Sequence, residues 1–204
     1  MTGKVVCRAA TARRWGDVEA VFRGCGNARR CWCAYWYLSN RAFKEGWGEA
    51  NAATLRERVA AGEEPGVIAY VEGEPAGWCA VAPRGKHDRL NRSKHFAPVD
   101  DRDVWSIVCF VVRTGYRRHG LMRRLIDAAV AHARRQGAAV VEAYPIEPGP
   151  KTGSADLYVG TVAAFADAGF AEVARRLPRR PVMRLEAGPS RTARRAAGRA
   201  GRAA

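Results

Sequence analysis

The sequence predicts one mixed α/β domain, and three observations carry that prediction. Seven of the nine residues from Val104 to Val112 (VWSIVCFVV) are β-branched or aromatic, and the run is too apolar to alternate, which fits a central strand buried on both faces. That run breaks at a basic, glycine-bearing turn and restarts as an amphipathic helix ending at Gln136. Its apolar residues fall at 121, 122, 125, 126, 129 and 130, with Arg123, Arg124, Asp127, Arg134 and Arg135 opposite. On either side of this unit lie short apolar runs separated by turn signals, the signature of paired strands.

Taken in order, Lys4 to Ala9 reads as a first strand and Trp15 to Arg23 as a helix whose Trp15, Val18, Val21 and Phe22 share one face. The next stretch is unusual: Cys25, Cys31 and Cys33 stand beside Trp32, Tyr35, Trp36 and Tyr37, followed by Phe43 and Trp47. A Cys-x-Cys pair with no second pair and no close histidine is poor spacing for zinc, so no metal is expected. Two readings stay open, a buried aromatic cluster with thiols acting as small hydrophobes, and the wall of a substrate site. Asn51 to Ala61 reads as a second helix stopped by Gly62. Gly66 to Val71 and Ala76 to Ala82 read as strands joined by the turn Glu72-Gly73-Glu74-Pro75. Pro83 to Arg102 is polar and basic, and is expected to be a long, solvated surface connector. Beyond the central helix, Ala138 to Ile146 is a buried strand holding Glu142 and Tyr144, with Pro145 ending its pairing. Glu147 to Ser154 is a loop, Asp156 to Ala168 a short helix, and Ala171 to Arg176 with Pro181 to Glu186 a closing hairpin. This amounts to about seven strands and about four helices over residues 1–186. The remainder, 187–204, is an Arg/Ala/Gly-rich tail without periodicity and is expected to be disordered.

The joint between the central strand and helix has a chemistry of its own. The first turn of a helix carries N–H groups without intrahelical partners and the positive end of the dipole, so a short glycine-bearing turn there can wrap a phosphate. Gly120 removes a Cβ from the approach, and Arg117, Arg118, Arg123 and Arg124 add charge around it.

The run YRRHGLMRRL, from Tyr116 to Leu125, resembles the acyl-CoA-binding signature Arg/Gln-x-x-Gly-x-Gly/Ala of the GNAT acetyltransferase superfamily. Arg117 takes the first position, Gly120 the first glycine, and Met122 departs at the last. GTVAAFADAGFAEV, at 160–173, is similar to the later helix-and-strand motif of the same superfamily, and the Cys-Trp-Cys stretch resembles a bacterial subset of it. The resemblance implies a GNAT-like central mixed sheet splayed between its fourth and fifth strands. It also implies acetyl-CoA as the cosubstrate and transfer of an acetyl group to a primary amine of a small molecule or protein by direct attack. By the same resemblance, the main chain of Phe110 and Val112 would hold the pantetheine arm. The amides of Arg118, His119, Gly120, Leu121 and Met122, with Arg117, would hold the pyrophosphate. Trp32, Tyr35 and Trp36 would line the acceptor side.

Family members often carry an acidic base on the strand equivalent to 104–112, which here offers only Ser106 and Cys109. Glu142 is therefore the candidate base, in an apolar run where burial would raise its pKa, with a structural ion pair as the competing reading. The family tyrosine before the late Gly-Phe is replaced by Phe165, so Tyr158 is the candidate acid. These departures keep open an alternative, a non-catalytic acyl-CoA-binding or regulatory domain.

Composition narrows the setting. The formal net charge is +15, but 30 of the 35 basic residues are arginine beside abundant Ala and Gly, a coding bias that weakens the case for a specific nucleic-acid partner. The N-terminus lacks a long apolar segment and no run of about 18 apolar residues occurs, so neither export nor a membrane is expected. The six cysteines then read as reduced thiols in a cytoplasm. A small-molecule amine is the expected partner, and the resemblance brings the homodimers common in that superfamily.

Overall fold

A computed structural model describes residues 3–188. The expected tail falls outside these described residues from 189 onward. A seven-stranded sheet runs through the molecule in the order β1-β2-β3-β4-β5-β7-β6. The strands are β1 (Val5–Ala9), β2 (Gly66–Val71), β3 (Glu74–Pro83), β4 (Trp105–Val112), β5 (Val140–Ala143), β6 (Ala171–Ala174) and β7 (Val182–Glu186). Neighbours are antiparallel except β4 and β5, which are parallel. The mixed sheet matches the expected fold class.

The helices are α1 (Trp15–Arg23), α2 (Ala28–Cys31), α3 (Asn40–Glu45), α4 (Glu49–Ala60), α5 (Asp88–Asn91), α6 (Leu121–Arg135) and α7 (Val162–Asp167). The long α6 lays Leu121, Leu125, Ile126, Ala129 and Ala133 on one face of the sheet, against Val67, Ala69, Cys79, Val81 and Ile107. Burying each of its larger side chains contributes about 1.5–3 kcal/mol. The close approach depends on Gly77, where a Cβ would lie 3.1 Å from Leu121 and 3.2 Å from Leu125. The other face is covered by α1, α4 and residues 32–37, with Phe22, Trp32, Trp36 and Leu55 packed on Ile68, Trp78, Ala80 and Val108.

β4 is irregular at one point. Ala80 pairs with Cys109 but Val81 pairs with Ile107, so Val108 is an extra residue in the strand, a β-bulge. Val108 and Cys109 consequently both face the α1 side, while Ile107 and Phe110 face α6. The β4–β5 pairing also stops at Ile107, opposite Ala143. From there β4 runs on to Val112 as β5 ends, and the sheet opens.

Two expectations need correction. The connector 83–102 is not a solvated loop: it carries a 3-10 turn (Arg84–Lys86) and α5, and it buries Arg84, His87, Leu90 and Phe96. Its polar residues hid this because Arg84 and His87 point inward. The helix expected over 156–168 breaks into a 3-10 turn (Asp156–Val159) and α7, because Gly160 takes φ +78° and the Thr161 hydroxyl accepts the Ala164 N–H, restarting the helix.

Candidate active site

The opening between β4 and β5 exposes one edge of β4. The Arg113 N–H donates to the Ala76 carbonyl of β3, and the alternation of an antiparallel ladder turns the polar groups of Phe110 and Val112 the other way, toward the gap. Arg117 Nε donates to the Val112 carbonyl at 2.9 Å, fastening the turn that follows.

That turn curls through a left-handed Arg118 (φ +63°) and a left-handed Gly120 (φ +71°) before α6 starts at Leu121. A non-glycine residue at positive φ costs about 1 kcal/mol or more and persists where the surroundings impose it. Residues 117–120 are exposed, a Cβ built on Gly120 would meet no protein atom within 4 Å, and the first turn of α6 holds no acid. Met122 packs sideways onto the α6 core, which leaves its N–H beside those of Leu121 and Arg123 at the helix end. Arg117 to Met122 thus form an open, basic cradle at the N-terminal end of α6, an arrangement whose chemistry suits an anion. Arg123 turns elsewhere, to Asp127 at 3.0 Å.

Across the gap, the turn Asp156–Val159 is pressed onto β4 through Gly160, where a Cβ would meet Phe165 at 2.7 Å and Phe110 at 3.1 Å. This places Tyr158 near Tyr35, Cys109, Cys31 and Arg180. Burial, then Tyr35 and Cys109, raise the pKa of its hydroxyl, which stays protonated at neutral pH. The Tyr35 and Tyr158 rings meet edge to face at 6.5 Å, and Trp36 meets Tyr35 at 5.2 Å. Arg89 covers the other side of Tyr35 at 3.8 Å from its ring. Cys109 is a poor nucleophile here, because contact with Cys33 and burial raise its pKa well above the ordinary thiol value. All six cysteines are free, and among the described residues no group of three or more His, Cys, Asp or Glu is placed to hold a metal ion.

Trp32 is not part of this wall. It is fully buried, stacked on Phe22 at 4.8 Å and Trp15 at 5.9 Å, with Nε1 donating to the Arg29 carbonyl at 2.7 Å. The left-handed backbone of Trp32 and Cys33 turns that ring into the core. Tyr35 is half-buried beside Tyr158, and Trp36 is buried behind it.

Glu142 sits in the paired part of β5, opposite Ser106, with both oxygens engaged. Arg184 Nη2 donates to Oε1 at 2.7 Å, the Tyr144 hydroxyl donates to Oε2 at 2.7 Å, and Arg84 Nη1 stands 3.5 Å from Oε2. Tyr144 in turn accepts from Arg84 at 2.9 Å and lies 3.0 Å from the Ser106 hydroxyl, while Arg184 also holds Asp100 at 2.6 Å. This is the ion-pair reading, realised as a network. The i, i+2 spacing of Glu142 and Tyr144 places them on one face and was visible in the sequence, but Arg84 and Arg184 come from distant segments. His87 and Arg180 gave no sequence signal, and Tyr37 was visible only as one of the aromatic cluster.

A family model described as the acetyltransferase (GNAT) family matches residues 32–159. No curated protein matches the chain. Among solved structures, the PaiA N-acetyltransferase of Thermoplasma acidophilum in complex with coenzyme A is similar over 90% of this chain and 99% of its own, at 9% identity and a TM-score of 0.52. YncA of Salmonella typhimurium, with its cofactor acetyl-CoA, is similar over 90% and 94%, at 15% identity and a TM-score of 0.50. The GNAT domain of S. lividans PAT is similar over 90% and 91%, at 13% identity and a TM-score of 0.54. The splayed strand pair, the cradle that follows it and the family match agree: this chain belongs to the GNAT acetyltransferase family.

Proposed function

We propose that the protein transfers an acetyl group from acetyl-CoA to a primary amine by direct attack. The observation that carries this reading is the coincidence of a free β4 edge, opened at the Val108 bulge, with an exposed basic cradle five to ten residues further along the chain. When bound, acetyl-CoA supplies an activated thioester. The free N–H and C=O of Phe110 and the free N–H of Val112 would meet its pantetheine arm along the β4 edge, and Arg117, Arg118, His119, Gly120, Leu121 and Met122 would hold its pyrophosphate.

Attack forms a C–N bond and breaks a C–S bond, so one proton must leave the amine and one must reach the sulfur. Tyr158, protonated and beside the β4 bulge, gives its proton to the departing thiolate and recovers one from solvent. The acceptor, arriving as an ammonium, gives two protons to water, one before attack and one as the C–N bond forms. Glu142, held between two arginines, acts as a positioning residue beneath the site. Calorimetric titration with acetyl-CoA, using desulfo-CoA and ATP as comparators, tests the cradle, and free-thiol release with amines tests turnover. Binding that follows the pantetheine arm supports the reading; equal binding of every polyanion sinks it.

One observation favours the rival reading of a non-catalytic acyl-CoA-binding domain. Phe165 is fully buried between Phe110 and Phe170, so no hydroxyl stands at that position. Thiol release with any amine removes that rival.

A further inference from the structure

Arg180 lies in the turn between β6 and β7, where Arg175 and Arg184 are matched with acids, while the exposed Arg176 and Arg179 meet only carbonyl and hydroxyl oxygens, and Arg180 alone lacks an acid while partly buried. Arg175 pairs with Glu172 at 2.7 Å and Glu147 at 2.9 Å, and Arg184 pairs with Asp100 and Glu142. Arg180 is different. Nε donates to the Pro145 carbonyl at 3.2 Å and Nη2 to the Tyr144 carbonyl at 3.1 Å, and the guanidinium lies 5.1 Å from the centre of the Phe96 ring. These contacts fix it in place without neutralising it. Among the described residues it has no carboxylate within 4 Å, and its Nη1 donors have no partner. It is half-buried, and the carbonyls that hold it lie just past the end of β5, across the gap from β4, with Tyr158 and Tyr35 nearby. A partly desolvated cation held by neutral carbonyls is costly to keep unless an anion reaches it.

Taking the proposed transferase as given, we infer that Arg180 is a specificity residue that receives a carboxylate on the acceptor, so that the acceptor is an amino acid or another amine bearing a carboxylate. The acceptor carboxylate pairs with Nη1 while its amine faces the β4 gap beside Tyr158. The same cation, with Arg89 on the far side of Tyr35, disfavours polyamines, whose second charge would meet arginine.

The test compares L-amino acids with their decarboxylated partners, such as phenylalanine with phenethylamine and tyrosine with tyramine, by release of free CoA thiol. The wild type should favour the best carboxylated acceptor by about tenfold or more in kcat/KM. Arg180→Met, which keeps the stem over Phe96, should bring the ratio close to one through a rise in KM. Its unchanged affinity for acetyl-CoA would confirm that it folds, and Arg180→Lys should restore part of the preference. Decarboxylated amines used equally well, a preference that survives Arg180→Met, or acetyl-CoA binding with no turnover of any carboxylated amine would each overturn the inference. Absence of acetyl-CoA binding would instead remove the transferase reading, and this inference with it.

Discussion

Gly120 sits at φ +71° with open space where its Cβ would be, so the cradle is shaped by what this residue lacks. Gly120→Asp would put a side chain and a negative charge in that space and strain the left-handed backbone. Calorimetry should show acetyl-CoA affinity reduced by about tenfold or more, with the fold retained. Tyr158→Phe removes only a hydroxyl from a ring whose packing persists. It should leave acetyl-CoA affinity unchanged and lower kcat by about a hundredfold, as the loss of a positioned acid does; an unchanged kcat would take the proton from another donor. At this scale the exposed, glycine-bearing turn before α6 was legible, because glycine and arginine at a strand-to-helix joint have a local meaning. Trp32 was not, since its burial depends on two successive left-handed residues, Trp32 and Cys33, that no spacing rule anticipates.

Among the elements, β5 was legible as a buried strand, while the partners of its carboxylate were not. An apolar run with one Glu indicates burial but does not say what the carboxylate meets. Its partners arrive from β7 and from the turn after β3, 42 and 58 residues away in sequence. Glu142→Gln removes the anion between Arg84 and Arg184, leaving Arg84 buried without a counter-charge. Because breaking a buried pair leaves an uncompensated charge, denaturant unfolding should show a loss of about 2–4 kcal/mol. Acetyl-CoA binding, measured below the new melting range, should persist. The strands and α6 were legible for a simpler reason: their patterns of period 2 and 3.6 are local, whereas α5 and the broken helix at 156–167 depend on a buried His87 and on the Thr161 cap.

For the whole molecule, pH reads out the buried histidines. Desolvation, then Arg58, lowers the pKa of His87 from 6.5 to about 3, and neither ring nitrogen has a hydrogen-bond partner. The ring is stacked on Tyr37 at 5.3 Å, which keeps it in place while neutral. A depressed histidine pKa means that the unfolded chain binds a proton the folded one refuses. Stability is therefore full above about pH 6.5 and falls as the pH drops from there toward 3. His132, also lowered by desolvation, contributes in the same direction. Chemical denaturation across pH 7 to 4.5 should show this decline, and His87→Phe should flatten it, leaving the share of His132. A decline of the same slope in His87→Phe would assign the effect elsewhere.

The bulge at Val108 has a consequence of another kind. In a regular strand, odd and even positions keep opposite faces from end to end. In β4 the parity changes at Val108: Ile107 and Phe110, three apart, face α6, while the adjacent Val108 and Cys109 both face α1. Removing Val108 would restore regular counting while every other residue of β4 kept its present face and its present partner in β3. What the extra residue sets is not which face the strand presents but the point at which it parts from β5.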